Sequence, residues 1–372
     1  MLQKDGINKT RVFIAGIIPA SVVYGYPGVA QAEINFSEKF ISACKPIQTY
    51  SIVPVNIIPK VTFVSESSFP VAFIQVRLLP HIGPFRMLNT LLENIIVFFK
   101  VVFLKGNIWF YNIRKQNLFL ILLLYLFRKK VFFVLADFNP PAKKLSLNTF
   151  FLKLLDRSNG IVSLSNKYKS ISKNKNIRTL PGITDYSFKE TIRERSYNKT
   201  QILYAGNLYL PFGIDLALQV FEGFDAFELL ITGSGPQEII DLIETYSARN
   251  SNIKYLGYLS YKDYLGILAD VDICLSLRNP SYDENLYNFP SKVLEFLTHE
   301  KMVISTLTYE SIEEGVLFHS DYTVTGIRDC IINITSLPDT TLNAHIEKNK
   351  QFISRQFSFS AWDEITKQVE NA

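Results

Sequence analysis

Short apolar runs alternate with longer amphipathic stretches along most of the chain. Residues 10–18, 49–55, 71–76, 107–113, 131–135 and 160–164 are compact runs rich in Val, Ile and Phe, the pattern of buried strands. Between them, residues 29–43, 87–104, 118–127 and 145–156 have helical character. In the first of these Ala30, Ile34, Phe40 and Ile41 form an apolar stripe. A polar segment with Pro181-Gly182 and a charged run ending at Arg195 interrupts the pattern. The alternation then restarts, with strands predicted at 201–205, 227–231, 253–257, 273–277 and 302–305. Helices are predicted at 213–221, from the turn at Gly233-Ser234-Gly235-Pro236 to 247, at 262–269 and at 343–368. Strands alternating with helices predict an α/β chain whose sheets are mostly parallel and covered by helices on both faces.

The 372-residue length allows two domains, because single cores stop growing near about 250–300 residues. The expected division is an N-terminal domain at 1–183, a linker at 184–200 and a second domain at 201–342. A C-terminal helix at 343–372 is expected to pack back toward the first domain. Cys44, Cys274 and Cys330 are far apart, as are His81, His299, His319 and His345. Reduced buried thiols and no metal site follow from that scatter.

The net charge of +5 conceals an asymmetry. Residues 1–183 hold 24 Lys and Arg against 7 Asp and Glu, and residues 184–372 hold 15 against 27. The basic half suits nucleic acid or an anionic membrane. No nucleic-acid module has a recognisable signature, and the Phe and Leu residues between the basic ones read as core. The longest apolar runs are broken by Lys100, Lys105, Arg114 and Lys115, and each is shorter than the roughly 18 residues a spanning helix needs. No signal peptide is visible. A cytoplasmic protein, peripheral on the inner face of a membrane, is the expectation.

The stretch 278–306 is the most informative. A loop rich in Asn and Tyr (279–288) leads to Phe289-Pro290-Ser291-Lys292 and an apolar helix with one carboxylate, Glu295. Pro290 suits the first turn of a helix. Lys292 and Glu295, three apart, share a helical face. A helix start favours a phosphate, and a carboxylate one turn further in accepts hydrogen bonds from sugar hydroxyls. The plainer reading is a solvated ion pair. Gly206, and Gly233 with Gly235, stand where strands end, as phosphate-approach points or as tight turns. Asp137 ends a strand of the first half, placed to orient a hydroxyl or to cap the turn at Asn139-Pro140. Gly25 and Gly28 mark a loop after the first strand. The cluster Arg128-Lys129-Lys130, with Arg114-Lys115 and Lys143-Lys144, suits an anionic partner or a solvated face.

These residues resemble family-4-type glycosyltransferases of bacterial polysaccharide biosynthesis. Tyr204-Ala205-Gly206-Asn207-Leu208 with Phe212-Gly213, then Leu230 to Pro236, then Ile253 to Tyr258, then Asp270 to Leu275 followed by Phe289 to Phe296, fall in the family's order. The resemblance implies two Rossmann-like domains with a cleft between them, the GT-B fold. It also implies retaining transfer of a sugar from a nucleotide-diphosphate sugar to a hydroxyl of a glycan or lipid-linked acceptor. It places Glu295 on the donor ribose as the second of a glutamate pair. Gly206, Asn207, Gly233, Tyr258, Leu259 and Ser291 would bind the donor nucleotide. Tyr287, Asn288, Phe289 and Pro290 would face the donor sugar. Arg278 and Lys292 would meet the diphosphate, with Lys292 and Asp137 as the catalytic candidates and the Gly25–Gly28 loop on the acceptor side. No cofactor is implied. Tyr287 stands where the first glutamate is expected, and Asn207 and Phe212 stand where a basic pair is expected. A catalytically silent partner subunit and a sugar-nucleotide epimerase therefore remain alternatives.

Overall fold

The computed structural model describes residues 11–16, 31–45, 47–52, 71–74, 83–136, 138, 146–184 and 199–372. The chain divides into two units, one of residues 1–183 with 359–372 and the other of residues 184–358. The expected loop at Gly25 and Gly28, the strand-end carboxylate Asp137, and linker residues 185–198 lie outside the described residues.

The first unit runs β1 (Arg11–Ala15), α1 (Gln31–Ala43), β2 (Ile47–Ile52), β3 (Val71–Ile74), α2 (Gly83–Val101), β4 (Ile108–Tyr111), α3 (Leu118–Leu126), β5 (Val131–Leu135), α4 (Leu147–Asp156), β6 (Gly160–Ser163) and β7 (Ile177–Thr179). Its strands form one sheet in the order β3-β2-β1-β4-β5-β6-β7, every pairing parallel. Strands β1, β4, β5 and β6 are buried along their whole length, which is why they read as continuous apolar runs.

The second unit runs β8 (Thr200–Asn207), α5 (Ile214–Phe221), β9 (Phe227–Ser234), α6 (Gln237–Arg249), β10 (Ile253–Tyr255), α7 (Tyr261–Asp270), β11 (Ile273–Ser276), α8 (Glu284–Tyr287), α9 (Ser291–Thr298), β12 (Met302–Ser305), β13 (Phe318–His319), α10 (Val324–Ser336) and α11 (Asp339–Gln356). The sheet order is β10-β9-β8-β11-β12-β13, again all parallel. Strand β8 runs two residues beyond the apolar stretch, because Gly206 and Asn207 continue the ladder opposite Gly233 and Ser234.

The predicted helix at 343–368 is two helices. The backbone leaves helical geometry at Phe357, whose ring is buried edge-on against Phe352. Helix α11 belongs to the second unit, and α12 (Phe359–Asn371) belongs to the first. There α12 packs on α1, β6 and β7. Trp362 is fully buried, donates to the Gly182 carbonyl at 2.6 Å, and meets Phe36 and Phe40 edge-on.

Arg11, on β1, reaches Asp363 at 2.9 Å and Glu370 at 2.9 and 3.2 Å, and also donates to the Cys44 carbonyl. Trp109 Nε1 donates to the same Glu370 at 2.7 Å. Among the described residues, no helix is long and apolar enough to cross a membrane.

Arg11 is almost fully buried and Glu370 nearly so, so removing the guanidinium strands a carboxylate in a poor solvent. Arg11→Ala is expected to cost about 3 kcal/mol, the lower end for a broken buried pair, because Asp363 keeps some access to water. Urea unfolding of wild type and variant checks this. An unchanged midpoint would show that α12 docks by apolar contact alone.

Candidate functional site

In the second unit the parallel sheet brings the ends of β8, β9, β10 and β11 to one edge, where α/β sheets bind ligands. Gly206 and Gly233, next to the ends of β8 and β9, lie opposite each other in register. Both have positive φ, 142° and 147°. A Cβ on Gly233 would stand 1.8 Å from the Gly206 carbonyl oxygen, so only glycine fits there. A Cβ on Gly206 would meet nothing within 4 Å. One glycine therefore serves packing, and the other leaves backbone open toward the edge. Gly257, after β10, accepts from the Gly233 amide at 3.1 Å and from Thr232 Oγ1 at 2.8 Å. Beyond it Tyr258 is exposed and Leu259 half-buried.

The loop after β8 is tied to the loop after β11. The Asn279 amide and Asn285 Nδ2 both donate to the Pro211 carbonyl, at 3.0 and 2.8 Å. Tyr204, its hydroxyl pushed up by burial, donates to the Phe212 carbonyl at 2.7 Å. Arg278 lies over the Phe212 ring, 4.7 Å from its centre, and donates to Asn285 Oδ1 at 3.0 Å. The expected diphosphate partner Arg278 is thus held by the aromatic ring that occupies a basic position of the resembled family. Asn285 is buried and spends its amide on loop carbonyls, so the Asn-rich loop is a braced structure.

Helix α9 begins at Ser291, with Pro290 as its N-cap, one residue earlier than the first-turn position expected for it. Pro290 and Phe289 are buried, Phe289 edge-on against Tyr309 at 5.0 Å. Tyr287 and Asn288 are half-buried, and Ser291 is exposed.

Lys292 and Glu295 meet as their spacing predicts, Nζ to Oε2 at 2.6 Å. The pair is more than a solvated contact. Tyr264 of α7 donates to the same oxygen at 2.8 Å, and the Lys292 ammonium sits 3.8 Å from the centre of the Tyr264 ring. Burial pushes the Glu295 carboxyl up, but the Lys292 ammonium and the hydrogen bonds from Lys292 and Tyr264 outweigh it. The group is held below the usual carboxylate range. Burial, then the Glu295 charge, pushes the Tyr264 and Tyr261 hydroxyls up, so both stay protonated as donors. The result is a fixed, ionised acceptor with its donors in place. Tyr261 and Tyr264 were missed from sequence, although their three-residue spacing on one helix was the available signal.

In the first unit the carboxyl end of β1 also carries a built feature. Buried Glu33 of α1 accepts from the Gly16 amide at 3.1 Å and from both Arg114 terminal nitrogens. A small hollow lies beside it, lined in part by Ala15, Ile52, Tyr111 and Arg114. Arg114 was read only as part of a basic cluster, and Glu33 was not singled out.

Two outcomes follow from this geometry. Gly233→Ala is expected to destabilise by about 2–3 kcal/mol through overpacking and strain, and Gly206→Ala by about 1 kcal/mol through strain alone. Equal losses in thermal or urea unfolding would contradict the division of roles. For Glu295 the native pKa lies below the ordinary value of 4.5. Its stabilising contribution is therefore complete above that pH and is lost as pH falls through the lowered native value. The stability difference between wild type and Glu295→Gln should be constant above pH 4.5 and shrink below it. A difference that instead grows as pH falls toward 4.5 would mean that the carboxyl is raised, with burial dominant.

Residues 199–335 match the family model described as glycosyl transferases group 1. No curated protein matches the chain. Among solved structures, the N-terminal domain of Candida albicans trehalose-6-phosphate phosphatase aligns with a TM-score of 0.72 at 14% identity, over 98% of this chain and 97% of that one. Anabaena HepE, in complex with UDP and glucose, aligns at 0.71 and 15% identity over 98% and 100%. A glycosyltransferase from Rickettsia africae aligns at 0.69 and 16% identity over 98% of both chains. These likenesses establish the fold, two Rossmann-like domains of the GT-B type. The group 1 match falls on the unit that holds Gly206, Gly233, Lys292 and Glu295, and it marks the chain as a glycosyltransferase.

Proposed function

We propose that the protein transfers a sugar, with retention, from a nucleotide-diphosphate sugar to a hydroxyl of a glycan or lipid-linked acceptor in cell-surface polysaccharide assembly. The observation that carries this reading is the Glu295 carboxylate, held ionised by Lys292 and Tyr264 one turn into α9. A carboxylate offers about four lone-pair positions. Lys292, Tyr264 and Tyr261 claim part of that capacity, and the remainder suits a ribose hydroxyl. The open backbone at Gly206 and the start of α9 suit the diphosphate, and Lys292, in the first turn of α9, would supply the charge to meet it while bonded to Glu295. An ammonium has three donors, and the carboxylate takes one. The HepE structure with UDP and glucose supports a nucleotide-sugar donor for this fold. A cytoplasmic setting, on the inner face of a membrane, accompanies a lipid-linked acceptor.

A second reading, a catalytically silent partner subunit, is favoured by Tyr287 at the expected glutamate and by Asn207 and Phe212 at the expected basic pair.

Incubating the purified protein with UDP-, GDP- and dTDP-sugars, with binding and nucleotide release both followed, separates the two. The glycosyltransferase reading expects release from one donor class. The silent reading expects binding without release. Glu295→Ala should weaken nucleotide binding about tenfold or more, the value of a hydrogen bond to a charged group. Lys292→Ala should slow transfer more than it weakens binding. Wild-type binding by Glu295→Ala, with its circular dichroism intact, would remove the donor assignment.

A further inference from the structure

The outer face of the first unit's helical layer is apolar where a solvated helix would be polar. On α2, Phe85, Leu88, Ile96 and Phe99 are exposed and follow one another at three, eight and three residues, a single stripe. The stripe continues past the helix end to Phe103, 81% exposed. On α3, Leu122 and Leu126 are exposed four residues apart, Leu126 at 74%, and Phe127 follows. The two helices pack side by side, and their ends are joined. Phe127 lies edge-on against Phe98 at 4.9 Å, and Lys129 Nζ donates to the Leu104 carbonyl at 3.0 Å. Phe99, Phe103, Leu126 and Phe127 therefore fall around one junction. Scattered single apolar residues on a surface need no explanation, but several large ones at one place do.

Within residues 83–136, which carry the junction, the exposed charges are of one sign. Residues 83–136 contain eight Lys and Arg and one acid, Glu93, which is fully buried. Lys100, Lys105, Arg128 and Lys130 are exposed beside the apolar residues. A protein partner for an apolar patch would ordinarily meet charges of both signs at its rim. The exposed basic residues of this segment, set around protruding aromatic and aliphatic side chains, match the interface of an anionic bilayer. There apolar groups enter the acyl boundary and ammonium groups stay with the headgroups.

We infer that the α2–α3 face is a docking surface for an anionic lipid bilayer, with Phe99, Phe103, Leu126 and Phe127 inserted and Lys100, Lys105, Arg128 and Lys130 on the headgroups. The inference does not depend on the donor assignment, because lipid binding is read without any sugar nucleotide. Nucleotide release in the same preparation reports on that assignment separately.

Co-sedimentation of the full chain with vesicles tests it. Phosphatidylcholine mixed with phosphatidylglycerol should retain the protein, phosphatidylcholine alone should not, and added salt should release it. The triple variant Phe99→Ser, Phe103→Ser and Leu126→Ser alters exposed side chains and should keep the wild-type circular dichroism. Its affinity for anionic vesicles should fall about tenfold or more. Replacing Lys100, Lys105 and Lys130 with Ser should weaken binding about fivefold per residue. The inference is overturned if wild type ignores anionic vesicles or binds neutral ones equally. It is also overturned if the apolar variant binds like wild type. A wild-type dimer that the apolar variant converts to monomer, without lipid binding in either, would assign the face to self-association instead.

Discussion

Parallel pairing of every strand is the constraint from which the rest of this structure follows. In each sheet the described strands end at the same edge, so each return to the start needs a crossover. Among the described residues most of these are helical, although residues 306–317 join β12 to β13 without a helix. The loops at the carboxyl edge are thereby freed from covering the core. In the second unit that edge is drawn tight where β8 and β9 run side by side to Gly206 and Gly233. The loop carrying Pro211 is then fastened to the loop carrying Asn279 and Asn285. Loops braced in this way hold their shape without a ligand, which lowers the ordering cost of binding one.

The Glu295 cluster shows how burial and charge are balanced. A carboxylate taken from water is costly unless it is paired and hydrogen-bonded. Here one ammonium and a tyrosine hydroxyl share a single oxygen, and the same ammonium lies on the tyrosine ring. Each member is oriented by the other two. Lys292 is partly exposed, so the cluster keeps one open side.

Much of the fold was legible because buried parallel strands leave continuous apolar runs and surface helices leave periodic ones. The pairing of Lys292 with Glu295 was legible for a similar reason, since three residues on a helix are neighbours by geometry alone. Contacts between distant segments left no such trace. Tyr264 meets Glu295 across 31 positions, and Arg11 meets Glu370 across 359. Lys301 is buried and donates to the Ala269 and Val271 carbonyls at 2.8 and 2.7 Å. A lysine whose partners are backbone carbonyls cannot be told from a solvated one by its neighbours in sequence. The single expected terminal helix divided for a related reason. Helix propensity runs through residues 343–368, but burial of Phe357 is a tertiary event.

Helix α12 bears on how the chain is made. The first unit needs Trp362, Asp363 and Glu370 to fill the pocket beside α1 and to neutralise Arg11. On the ribosome those residues emerge after the whole second unit. Until then Arg11 and the Phe36–Phe40 surface lack the cover that α12 gives them. The first unit is thus begun first and completed last, and the interval is one in which a chaperone has an apolar, basic surface to hold.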